Sequence, residues 1–264
     1  MFKVVTVCAG VIVLVGSVSD AAAQGVDLTF FVGRAFPTYD DRLILRPSNP
    51  ALPGVDVVGS PQIKAAGGPV FGGAIAVGTG ILSLEGRLDS TEVGLEFTGA
   101  RYNFRGTQPP FEGLTASITI SDGQINADRI PLLSVNARIR TPGPLALIAS
   151  GGLSYLSSID LTGSIPLRIE VGGVPIPGVD PRLTLRALPG ESEHRWGLNG
   201  GAGLRIGGPV AVIGEVRVFY FRDYDLRFEG ETGLQILDEL LSNLALVRFD
   251  PVFVNAQAGV TFRF

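Results

Sequence analysis

The single histidine of this chain, His194, follows Glu191, Ser192 and Glu193, the residue types of a hydroxyl nucleophile, its base and an orienting acid. Such a relay needs all three groups within hydrogen-bond reach of one another. Consecutive residues of a strand point to opposite faces, so this neighbourhood does not assemble a relay by itself. His194 is expected to be a solvated residue at a rim, and no catalytic residue is assigned. Zinc or copper would ask for several His or Cys ligands. With one histidine, and the one cysteine (Cys8) near the start of the chain, no metal site is expected. Gly200, Gly201 and Gly203 suggest a nucleotide-binding loop, but no helix follows them to receive a phosphate. They are expected instead to make room for bulky neighbours such as Phe253 and Phe31. No cofactor is expected.

What remains is a set of polar side chains in alternating segments: Glu85, Arg87, Asn136, Arg138, Arg140, Arg195, Arg205, Glu215 and Arg217, with Asn199 and Gln257. Placed inside a narrow wall, they would form either a polar pore or a plug. Buried charges must be paired, which favours the plug. Glu85 and Glu215 are expected to be held by arginines, Arg138 and Arg217 foremost, meeting through the middle of the ring.

Strands with two unlike faces are needed to carry that set, and the sequence alternates accordingly. Tight turns fall at Gly78-Thr79-Gly80, Thr141-Pro142-Gly143-Pro144 and Ile206-Gly207-Gly208-Pro209. Glycine tolerates the positive φ of such turns. Strands are expected at Val70–Val77 and Ile81–Asp89, at Leu132–Arg140 and Leu145–Ser157, and at Arg195–Ile206 and Val210–Phe221. Val26–Ala35 and Val252–Phe264 bring the number to eight. In the sixth, Trp196, Leu198, Gly200, Ala202, Leu204 and Ile206 share the apolar face. The long connections, roughly 38–67, 92–129, 160–192 and 223–250, are rich in Pro, Gly, Asp and Ser and read as loops. The last contains Leu234, Leu237, Leu241 and Leu244 at helical spacing. One helix is expected there, suited to a partner, a membrane surface or the barrel mouth, or else packed on Ile165, Leu167 and Ile169.

A soluble sandwich would alternate in the same way. The aromatic residues separate the two cases. Tyr155 lies ten residues after Leu145, Trp196 ten before Ile206 and Tyr220 ten after Val210, all on the apolar face. A membrane strand needs about 9–11 residues between aromatic girdles. Phe262 and Phe264 would then form the girdle of the opposite, short-turn side.

The address agrees with a membrane destination. Lys3, the apolar stretch Val4–Val15 and Ala21-Ala22-Ala23 have the layout of a secretory signal peptide, expected to be cleaved after residue 23. Cleavage removes Cys8, Lys3 and Asp20 and leaves the net charge at −4, so no disulfide framework and no nucleic-acid partner are expected. Charged residues make up 17% of the chain, and its mean hydropathy is +0.35. In a bilayer only helices and closed barrels satisfy every backbone group.

The alternating last strand ending in Phe264, with eight strands and four long connections, resembles the small outer-membrane barrels of the OmpA and OmpX type. The resemblance implies an all-β fold, an eight-stranded antiparallel transmembrane up-and-down β-barrel with short periplasmic turns and four long extracellular loops. It also implies residence in the outer membrane of a Gram-negative-type bacterium, contact with outer-membrane lipids, and recognition of the last strand by the barrel-insertion machinery. OmpA-like proteins can carry a peptidoglycan-binding domain after the barrel; with none after Phe264, no wall anchoring is expected. The expected role is non-enzymatic, in envelope structure or in surface interaction through the loops, by a monomer. The alternative is a porin-like small pore, or a carrier of small or apolar solutes.

Overall fold

Alternating apolar and polar residues between glycine turns make each strand pair first with its neighbour in sequence, and eight such strands close into a ring. The computed structural model describes residues 25–38, 40–42, 55–59, 62–98, 100–126, 129–156, 164–176, 182–187, 195–222, 224–231, 246–249 and 252–264. The ring strands are β1 (Gly25–Pro37), β2 (Gln62–Thr79), β3 (Leu82–Thr98), β4 (Ile130–Arg140), β5 (Leu145–Leu156), β6 (Arg195–Gly207), β7 (Val210–Phe221) and β8 (Val252–Arg263). All eight pairings are antiparallel and join sequence neighbours, and β8 returns to β1 to close the wall. The closing seam runs from Asp27↔Arg263 to Pro37↔Phe253. The fold is therefore all-β, a closed eight-stranded up-and-down barrel, with no helix among the described residues.

The β2–β3, β4–β5 and β6–β7 connections are the three short turns foreseen from glycine. Gly80 (φ +67°) and Gly143 (φ +106°) occupy backbone regions that a side chain disfavours. Both Gly25 and Phe264 lie at this short-turn end, tied by Val26–Phe264 backbone hydrogen bonds of 3.1 and 2.9 Å.

The outer wall is apolar. Phe30, Val32, Leu84, Val135, Leu147, Leu198, Val212 and Val216 all stand exposed on it. Leaving such a band in water would forgo about 25 cal/mol for each Å² of apolar surface, so the wall asks for an apolar surrounding. Aromatic residues mark both ends of the band. Tyr155 and Trp196 are register partners with ring centroids 5.1 Å apart, and Tyr220 pairs with Leu198 on the next strand. At the short-turn end, Phe262 pairs with Val210 and Leu28, and Phe264 is 78% exposed.

The long connections are more ordered than loop composition implies. β2 and β3 run 18 and 17 residues, so their outer halves rise beyond the other strands, past a register shift between Gly67 and Val70. Asp40–Arg42 adds to β2 and Gly123–Asn126 to β3. A second antiparallel sheet carries, in order, Leu246–Phe249, Tyr224–Glu231, Arg182–Ala187, Ser164–Val171, Thr115–Ile120, Ala100–Gly106 and Val55–Val58. Its buried face includes Tyr102, Phe104, Ile118, Ile120, Ile165, Leu167 and Ile169. The reading of 38–67, 92–129, 160–192 and 223–250 as loops is corrected accordingly: each contains strands, Val55–Val58 in the first and Tyr224–Glu231 in the last among them, and short alternating runs such as Ile118/Ile120 and Ile165/Leu167/Ile169 form strands despite the Pro and Gly around them. The leucine-rich segment 234–244, His194 and the leader 1–23 lie outside the described residues.

Candidate functional site: the barrel lumen

The inner face is stratified along the barrel axis. Toward the long connections it is apolar: Leu95, Phe97, Ile130, Leu132, Phe219, Phe221 and Phe253 are almost fully buried. Phe219, Phe221 and Phe253 stack with centroids 5.2 to 6.5 Å apart. Below this layer lies a belt of charge.

In a ring of eight, β3 and β7 face each other across the diameter, and the belt is built on them. Arg217 of β7 donates from Nη2 to Glu85 of β3 at 3.1 Å. Arg87 of β3 donates from Nη1 to Glu215 of β7 at 2.8 Å. Two ion pairs thus cross the lumen. Each is reinforced on its own strand, because residues two apart share a face. Arg87 grips Asp89 through Nε (2.7 Å) and Nη2 (3.1 Å), and Arg217 reaches Glu215 through Nη2 (2.6 Å) and Nε (3.1 Å). Arg138 of β4 lies 3.4 Å from the second oxygen of Glu85.

Neutral groups fill the gaps. Asn136 donates to Glu85 (3.0 Å), Asn199 donates to Asn136 (2.8 Å), and Gln257 approaches Glu215 at 3.4 Å. Arg217 also donates to Ser150 at 2.6 Å and, in a short contact, to the Asn199 side-chain oxygen. The Arg87 guanidinium sits 3.9 Å from the centroid of the Phe31 ring, a cation–π arrangement. The belt holds three carboxylates, Glu85, Asp89 and Glu215, against three guanidiniums, Arg87, Arg138 and Arg217. Every one of these six side chains is buried. Desolvation of several kcal/mol per ion is tolerated only when each charge has close partners, and here the charges cancel.

Two glycines make space for this packing. A Cβ at Gly201 would come within 2.5 Å of Glu215 Oε1 and 3.2 Å of Arg217 Nε. A Cβ at Gly72 would meet the Phe31 ring at 2.7 Å. The room that sequence reading gave Phe253 and Phe31 beside Gly201 thus belongs to an ion pair, and Phe31 is accommodated by Gly72.

Of the expected lumen set, the structure brings together Glu85, Arg87, Asn136, Arg138, Glu215 and Arg217. Arg140 and Arg205 lie at the short-turn end, where Arg140 binds Asp27 (3.2 Å) and Arg205 caps the carbonyls of Gly207 and Gly208. Arg195 is half-buried at the other end of the wall, opposite Leu156. Asp89 and Asp27 were missed. The signal for Asp89 was present, since it continues the inward series Ser83, Glu85, Arg87. Among the described residues no cluster of three potential metal ligands occurs.

The fold and lumen define a closed eight-stranded barrel with an apolar outside and, inside, a charge-neutral, ion-paired belt. No family model and no curated protein matches the chain. Among solved structures, it is similar to the outer membrane protein OprG from Pseudomonas aeruginosa, at 10% identity and a TM-score of 0.47, covering 92% of this chain and 96% of that one. It is also similar to the outer membrane protease OmpT from Escherichia coli, at 11% identity and a TM-score of 0.33, covering 91% and 96%.

Proposed function

We propose that the protein is an integral outer-membrane barrel with a closed lumen and a non-enzymatic role, in envelope structure or in surface interaction through its long connections. The observation that carries this reading is the inversion of polarity across one wall. Val135 and Val216 face outward and exposed, while their strand neighbours Asn136 and Arg217 are sealed inside. Water rewards the opposite arrangement; a bilayer rewards this one. The short turns then face the periplasm, and the second sheet stands on the outer surface.

The diametral pairs Glu85–Arg217 and Arg87–Glu215 favour a plug over a pore, since they join opposite walls across the lumen. The expected result is recovery in the detergent-extracted outer-membrane fraction, heat-modifiable gel migration, and little conductance in planar bilayers. Recovery as a soluble periplasmic monomer would refute the membrane reading. Steady, well-defined channels from the wild type would replace the plug with the pore.

A further inference from the structure

On the outer wall, the apolar series of β1 is interrupted by a charge near its upper end. Phe30, Val32, Arg34 and Phe36 share the outward face, and Arg34 is exposed among them. Its register partners are Pro69 and Ala256, and no carboxylate among the described residues pairs with it. Arg34 sits about 7 Å along the strand from Phe36, toward the middle of the wall. A charge on a hydrocarbon-facing wall is costly and marks a site with a partner, which a long arginine reaches by extending toward the headgroups. A second arginine lies over the same patch. Arg129, just before β4, reaches back across the wall, with Nε 3.3 Å from Glu92 of β3 and its guanidinium 5.1 Å from the centroid of Phe71 of β2. Phe71 is the register partner of Val32, so it lies between Arg129 and the neighbouring Arg34. The Arg129 side chain is 68% exposed, and its contact with Glu92 uses Nε alone. Two guanidiniums against one carboxylate leave the patch positive.

An apolar groove adjoins this patch. Gly73, the next outward residue after Phe71, lines a groove of about 760 Å³ together with Leu28, Leu88, Val135, Tyr155 and Trp196. That volume lies within the range of small-ligand sites, about 300–1,000 Å³. The register carries the groove obliquely over the wall, from Leu28 on β1 up to the Tyr155–Trp196 pair of the girdle. With the short turns in the periplasm, as proposed above, the patch and the aromatic end of the groove stand at the outer leaflet. We propose that Arg34, Arg129 and this groove bind one phosphorylated glycolipid of the lipid A type, its phosphates on the guanidiniums and one acyl chain along the groove. Guanidinium forks match phosphate oxygens. Two arginines set about Phe71 suit the two phosphates of lipid A better than the single phosphate of a diacyl phospholipid.

The test titrates diphosphoryl lipid A into the folded full barrel in octyl glucoside, a detergent without phosphate, and counts bound lipid by native mass spectrometry. Wild type is expected to show a saturable one-to-one adduct. Arg34→Gln and Arg129→Gln should each weaken apparent affinity at least fivefold, and so should Val135→Trp, which fills the groove without touching a charge. Arg222→Gln, at an exposed arginine just after β7, should leave the affinity unchanged. Dephosphorylated lipid A and phosphatidylglycerol should both bind more weakly than the diphosphoryl form. Heat-modifiable migration checks that each variant is folded. Fractionation of wild type separates the two levels of the reading: absence from the outer membrane would refute the membrane barrel itself. A wild type folded in the outer membrane but without a saturable adduct would overturn the site alone. So would equal weakening by Arg222→Gln, indifference to Arg34→Gln, Arg129→Gln and Val135→Trp alike, or equal or tighter binding of phosphatidylglycerol.

Discussion

Glu85→Ala should destabilise the barrel more than Glu215→Ala, although both remove one buried carboxylate from the same belt. Without Glu215, Arg87 keeps its two hydrogen bonds to Asp89, and Arg217 keeps Glu85, Ser150 and Asn199. Neither guanidinium is orphaned. Without Glu85, Arg217 keeps Glu215, but Arg138 loses its one acidic partner among the described residues. Breaking a buried pair costs about 3–5 kcal/mol, mostly from the charge left behind. Glu215→Ala therefore belongs near the lower figure and Glu85→Ala near the upper, a gap of about 1–2 kcal/mol. The assay is urea unfolding of the barrel in lipid vesicles. Trp196, the one tryptophan, is 68% exposed on the outer wall and leaves lipid for water when the barrel opens. Glu85→Met combined with Arg138→Met removes the stranded charge and should recover most of the loss. Equal costs for the two alanine variants, both below about 1 kcal/mol, or no recovery in the double variant, would refute the claim that ion pairing holds this lumen closed.

Ala202→Arg puts a charge on the outer wall, between Ala149 and Val216, and should cost about 2–4 kcal/mol in the same assay if that wall meets hydrocarbon. Gly201→Val should displace the Glu215–Arg217 pair and produce leak conductance in planar bilayers, whereas the neighbouring outward Gly200→Val should remain closed. His194→Ala is expected to leave the lipid A pattern of the membrane unchanged, as measured by mass spectrometry; loss of a modification would favour an enzyme.

The barrel was legible because its determinants are local. Period-two alternation fixed each strand's faces, and glycine marked the three short turns, so strands such as Arg195–Gly207 and Val210–Phe221 needed no distant information. The inward side of Glu85, Arg138 and Arg217 followed from the same period. Which charge meets which did not, because partners such as Arg87 and Glu215 lie 128 residues apart and meet only through ring closure and strand stagger. Asp89 escaped notice because the expected third strand ended at that residue, although β3 continues to Thr98. The second sheet was missed for another reason. Strands of four to eight residues, such as Val55–Val58 and Ser164–Val171, pair with segments distant in sequence and are interrupted by turn residues, so no single window shows a sustained period.

The belt across β3 and β7 also bears on the order in which the proposed membrane barrel is completed. Before the ring closes, a half-barrel ending at Arg140 would present Glu85, Arg87, Asp89 and Arg138 on an open concave face, with Glu215 and Arg217 still absent. Exposing those groups to hydrocarbon is costly for each charge. In that half the pairs Arg87–Asp89 and Arg138–Glu85 are already in place, and β7 adds the two links that span the lumen, Arg87–Glu215 and Glu85–Arg217. The cross-lumen pairs are therefore the part of the belt that only the closing of the ring, along the β1–β8 seam, completes.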